Sequence, residues 1–286
     1  MNSKIDNGAV IIGKHVSLKS VLGKDIDRLN SISDEACLNT DKSIHAIRKS
    51  LKSISAILLL CEVNFDREQY ISWKSYIRIL SKQYGELRTP YVYLQTFNQI
   101  EEKLKSYDNS NLYELRNNLE LQYNLVVNDT KSTKETIQQG KEAILKLTEE
   151  LSNLGVNFKH KPLKRKLMIN FQKFQRLFKK LNLASSADEY HRFRKWCKIF
   201  YYQQLVLNQK KSEKTPKKNR KLFKLTEFLG NEHDLQVFYQ YLSTHFPELS
   251  KLSEAMFRLK IKRLRKKALA LYPKLIADFR IARPSQ

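Results

Sequence analysis

Glycine and proline are scarce in this chain, with 7 and 6 among 286 residues. So little turn punctuation argues against many short strands and favours long helices. The cysteines, Cys37, Cys61 and Cys197, are odd in number and widely spaced. They form neither a disulfide framework nor a zinc-ligand spacing, and the expected setting is the reducing cytoplasm. Long apolar runs are missing too. Ala56 to Cys61 is far too short to cross a bilayer, and Val10, Ile11 and Ile12 fall short of a signal-peptide core, so no membrane partner is expected. Nor is there a Walker-type phosphate loop, an RNP-type strand, a GXXG loop, a zinc finger or a short helix-turn-helix.

What the chain has is positive charge. The formal net charge is +24, and it is lopsided. Residues 1–145 hold 20 Lys+Arg against 18 Asp+Glu, whereas residues 146–286 hold 33 against 11. Such an excess repels itself and points to a polyanionic partner. The hydrophobic content of 41% is ample for a folded core.

A basic octapeptide occurs once in each half: HAIRKSLK (His45–Lys52) and HRFRKWCK (His191–Lys198). Each has a histidine, an arginine three residues on, a lysine beside it, and a lysine seven residues after the histidine. His45 and His191 are 146 residues apart, and two glycine landmarks, Gly85 and Gly230, are 145 apart. The halves therefore look like diverged copies of one unit.

At 100° per residue, Ile44, Ile47, Leu51, Ile54 and Leu58 fall on one stripe and His45, Arg48, Lys49 and Lys52 on another. The second copy separates likewise, with Tyr190, Phe193, Cys197 and Phe200 inward and His191, Arg194, Lys195 and Lys198 on a cationic face. Asp41 and Asp188 are the expected helix N-caps. A solvated basic face would explain one such helix, but it has no need of the same residue order twice.

Two further helices add cations. One buries Leu163, Leu167, Phe171, Phe174, Phe178 and Leu181, with Arg165, Lys173, Arg176 and Lys180 outside or at the margin. The other buries Phe257, Ile261, Leu264, Ala268 and Leu271, leaving Lys262, Arg263, Lys266 and Lys267 outside. Helices are also expected over 66–83 and 91–107, broken at Pro90, and over 111–127 and 133–154. The lysine-rich segment Asn208–Arg220 lacks periodicity and reads as a loop or connector, with a helix from Lys221 to Phe246 after it. Arg220 and Lys221, where the two meet, join the candidate anion contacts.

These residues resemble the CHAD family, the histidine-bearing α-helical domain that binds inorganic polyphosphate. The resemblance rests on the two HxxRKxxK copies, on Leu229, Gly230 and Asp234, and on the polybasic run Lys260–Lys267. It spans roughly residues 14–280. It implies an all-α fold of two pseudo-symmetric four-helix bundles in one compact domain over 1–286. The half-repeats would cover about 14–150 and 160–286, with a basic groove between them. The two octapeptides would line opposite sides of that groove. Arg88 matches the arginine that follows the first glycine landmark. The family pattern has Asp next, where this chain has Thr89. The second half, which keeps Asp234 and most of the charge, is expected to carry most of the affinity.

The expected function is non-enzymatic binding of polyphosphate, with no cofactor and no metal. Roles on polyphosphate granules, or beside a polyphosphate-metabolising enzyme on a separate chain, follow from the same resemblance. Rows of Arg and Lys suit such a ligand, Arg through forked contacts and Lys as point charges. Protonated His45 and His191 would add donors below pH ~6.5. One alternative is a sequence-blind nucleic-acid binder, for which weak binding is expected in any case. Another is a metal-dependent phosphohydrolase, with His191, His233 and Asp234 as the zinc ligands on offer, although carboxylates do not cluster near the basic motifs.

Overall fold

The computed structural model describes residues 15–32, 40–107, 109–128, 130–154, 157–207 and 217–279. Its elements are β1 (His15–Ser17), α1 (Leu18–Asn30), α2 (Thr40–Cys61), α3 (Arg67–Asn98), α4 (Glu101–Leu104), α5 (Asn109–Asn128), α6 (Thr130–Asn153), β2 (Asn157–Lys159), α7 (His160–Lys179), α8 (Ala187–Leu207), α9 (Lys217–His245) and α10 (Pro247–Asp278). The chain is helical, as the scarcity of turns predicts. The addition among the described residues is a short antiparallel ribbon in which Val16 pairs with Phe158. No helix among the described residues is long and apolar enough to cross a membrane.

The predicted stripes are buried. Ile44, Ile47, Leu51 and Ile54 of α2 and Tyr190, Phe193, Cys197 and Phe200 of α8 are almost fully inaccessible, and the two helices pack against each other. Cys61 and Cys197 are buried free thiols, while Cys37 lies outside the described residues.

Three expectations are corrected. Pro90 does not break α3, which runs through it for 32 residues. A mid-helix proline costs about 3 kcal/mol. Buried Tyr84 before it and Thr96 and Phe97 after it hold the helix down on both sides. Asp41 and Asp188 are not N-caps but lie inside the first turns of α2 and α8. The cap of α8 is Ser186, whose hydroxyl accepts from the Glu189 N–H (3.2 Å) while the Glu189 carboxylate accepts from the Ser186 N–H (2.8 Å), a capping box. Lys217–Arg220 of the expected loop already belong to α9, and residues 208–216 lie outside the described residues.

Two hydrophobic cores result. The larger gathers α1, α2, the first part of α3, α6, α7, α8, the start of α9 and the end of α10. The smaller gathers the end of α3, α4, α5, the end of α9 and the start of α10. Each draws on both halves of the chain. Three long helices, α3, α9 and α10, run from one core to the other. Their buried apolar residues stop at Tyr84, Leu229 and Ile261 and resume at Phe97, Leu235 and Ala268, with only partly buried side chains such as Leu87, Leu94 and Leu264 between. Those interruptions form a polar waist, and the site lies there.

Candidate functional site

Five cations meet at the waist. Arg48 and Lys52 come from α2, Arg88 from α3, and Arg194 and Lys198 from α8. The largest electrostatic partners of Arg48 are Arg88 and Arg194, and those of Lys52 are Lys198, Arg48 and Arg194. The carboxylate they share is Asp234 of α9, which feels Arg194 first, then Lys198, Lys52 and Arg88. The two octapeptides and the second landmark, remote in sequence, thus converge on one point.

Crowding like charges out of water weakens each one's hold on its proton. Burial first, then Lys198 and the two arginines, push the Lys52 ammonium down to about 6. Burial and Arg194 push Lys198 down to about 8. Burial raises the carboxyl of Asp234 while the cations pull it back. The Nε–H of Arg194 is buried and has no hydrogen-bond partner. The cluster is short of anionic charge and short of acceptors.

The expectation that His45 and His191 charge near pH 6.5 is corrected. Although the His45 side chain is exposed at the surface, partial desolvation and then Arg88 take it down to about 4. Burial and then Lys195 lower His191. His191 and His233 sit Nδ1 to Nδ1 at 3.4 Å, so one of the two nitrogens donates and the other accepts. His233 is held at about 3 by burial and by Arg194. In the unliganded protein His45 and His233 are therefore neutral across the physiological range, and His191 is shifted in the same direction.

Arg88 is positioned by residues that motif reading misses. Its Nη1 lies 3.5 Å from Oδ1 of Asp41, and its guanidinium stacks 3.6 Å from the Tyr91 ring centroid. The Tyr123 hydroxyl donates to the other Asp41 oxygen at 2.6 Å. Asp41 therefore supplies beside Arg88 a carboxylate that Thr89 cannot, since the Thr89 hydroxyl is turned to the Gly85 carbonyl at 3.0 Å. Asp41 and Arg88 are 47 residues apart, so only a contact map would reveal the pairing.

The cations of α10 divide. Lys260, Arg263 and Lys267 share one face and line a recess of about 420 Å³ that also takes in Arg88 and Asp234. Lys262 lines a different recess of about 510 Å³, and Lys266 is exposed. Arg265 points inward, with Nε donating to Glu232 at 2.8 Å, Nη1 donating to the Ser185 carbonyl at 2.6 Å, and its guanidinium over the Tyr190 ring. It ties α10 to α9 and to the turn before α8. Lys260 is absent from the expected contacts, although 260, 263 and 267 keep helical spacing.

The remaining candidates stand apart from the five central cations. Lys49 is exposed, and its main electrostatic partners are Arg28 and Asp25 of α1. Lys195 is exposed beside the His191–His233 pair. Arg165, Lys173 and Arg176 are exposed on α7, with the Lys173 ammonium 4.4 Å from the centroid of the Trp196 ring, and Lys180 follows the helix end. Arg220 is exposed, and Lys221 is engaged with Asp278 at 2.7 Å. Among the described residues no group of three or more His, Cys, Asp or Glu side chains could hold a metal ion.

Comparison with known proteins adds three findings. The family model described as CHAD domain matches residues 20–243. Among solved structures, PptA from Streptomyces chartreusis superposes with a TM-score of 0.67 over 90% of this chain and 99% of that one, at 13% sequence identity. At that identity the likeness establishes the fold alone. A search of curated proteins returns no match.

Proposed function

Since the chain belongs to the CHAD family, we propose that it binds inorganic polyphosphate at the waist, without catalysis. The observation that carries this reading is the convergence of Arg48, Lys52, Arg88, Arg194 and Lys198 on a single carboxylate. A chain of linked phosphates offers closely spaced negative charge and acceptor oxygens with no bases to read. It supplies what the cluster lacks, including an acceptor for the Arg194 Nε–H. Bound phosphate would also raise the proton affinity of Lys52 and Lys198, turning repulsion into attraction.

Binding is preferred to hydrolysis on the chemistry of the donors. Metal-assisted phosphoryl transfer gathers several carboxylates around a divalent ion. Here Asp234 stands among cations that would repel such an ion. The protein would then serve to hold polyphosphate, at a granule or beside an enzyme carried on a separate chain.

The test is a competition titration at about 150 mM salt, where surface charges are screened beyond roughly 8 Å. Labelled long-chain polyphosphate is displaced by unlabelled polyphosphate, duplex DNA, RNA or heparin. Polyphosphate should win by about tenfold or more at matched charge, about 1.4 kcal/mol. Equal competition by all polyanions would make the waist a general cation surface and favour a nucleic-acid role.

A further inference from the structure

The recess between α3 and the α9–α10 pair is richer than a bare polyanion requires. Its cations suit phosphate oxygens, but it also carries the carboxamides of Gln95, Gln99 and Asn231 and the apolar side chains of Val92 and Leu264. Polyphosphate has acceptor oxygens only, so an amide oxygen and an apolar wall have nothing to offer it. A carboxamide presents a donor and an acceptor side by side, the pattern that pairs with the N6/N7 edge of adenine. The volume of about 420 Å³ falls within the roughly 300–1,000 Å³ of small-molecule sites. Arg88 and Asp234 belong to both the recess and the central cluster, so the recess borders the cluster.

Resting on the polyphosphate reading, we propose that this recess seats the base and sugar of an adenine nucleoside oligophosphate. The phosphate tail then runs past Lys260, Arg263 and Lys267 toward Arg88 and the central cations. The carboxamides contact the base edge, and Val92 and Leu264 pack against its faces. Lys260, whose ammonium is lowered by burial and by Lys103 and Arg263, gains a counter-charge when the tail is bound. The protein then discriminates a nucleoside-capped phosphate chain from an inorganic one by groups that never touch phosphate.

Calorimetric titration in magnesium-free buffer tests this with ATP, inorganic tripolyphosphate and long-chain polyphosphate. ATP should bind about tenfold more tightly than tripolyphosphate. Gln99→Ala with Asn231→Ala, both exposed positions, should erase that advantage and leave the affinities of the two inorganic ligands within about twofold. Tripolyphosphate binding as well as ATP would overturn the recess while leaving the polyphosphate reading intact. An ATP advantage that survives the double substitution would overturn it equally. Failure of long-chain polyphosphate to bind would sink the underlying reading instead.

Discussion

Gly85 stands against the guanidinium of Arg48: a methyl group on its Cα would come within 3.0 Å of Nη1. The first glycine landmark therefore makes room for a binding cation and marks no turn, since it lies within α3. Gly85→Ala should displace Arg48 and weaken polyphosphate binding roughly threefold to tenfold. Its thermal midpoint should hold or rise, because alanine is favoured over glycine in a helix by about 1 kcal/mol. Calorimetry and a melting curve on one sample decide it, and unchanged affinity would refute the role.

The two octapeptides should contribute unequally. Arg194→Ala with Lys198→Ala should weaken polyphosphate binding more than Arg48→Ala with Lys52→Ala, by about tenfold. Lys52, held at about 6, is largely neutral at pH 7, whereas Lys198 at about 8 is largely charged. Equal losses would show that the halves share the ligand evenly.

Affinity should depend on pH through these lysines. Bound phosphate favours the ammonium forms, so binding takes up protons above the unliganded values. Affinity should be greatest below about pH 6 and fall as pH rises from about 6 toward 10. Without ligand, the folded protein binds fewer protons than the unfolded chain in this window. The contribution of Lys52 and Lys198 to stability therefore rises with pH there. Titrations and melts at pH 6 and 9 should show the ligand raising the midpoint more at pH 6.

Gly140→Ala should be severe. A methyl at Gly140 would fall 1.9 Å from the Tyr84 hydroxyl oxygen, and that hydroxyl is fixed by donating to the Thr136 carbonyl. Overpacking of this kind costs about 1–3 kcal/mol, read as a lower urea midpoint. Gly23→Ala, with nothing within 4 Å of the added methyl, is the neutral or stabilising control.

The helical stripes were legible because burial follows a period that sequence displays directly. Ile44 to Leu58 and Tyr190 to Phe200 fell inward as spaced. The octapeptides were legible because two copies in the same order exceed what a solvated face needs. Other features were hidden by distance or by context. The pairing of Asp41 with Arg88 and Tyr123 is tertiary. In the run Lys262–Lys267, composition reads as one cationic block, yet rotation about α10 sends Arg263, Lys262 and Arg265 to a recess at the waist, a second recess and the interior. Pro90 misled because local propensity was outweighed by packing on both sides of it.

The two cores, each assembled from both halves of the chain, constrain when folding can finish during synthesis. A ribosome that has released only residues up to the end of α6 has made α1 to α6, yet the larger core still lacks α7 to α10 and the smaller one lacks α9 and α10. Until those emerge, the side of α2 that packs on α8 and the apolar end of α3 that joins the smaller core lack their later partners, and the nascent chain is a substrate for chaperones that shield apolar helices.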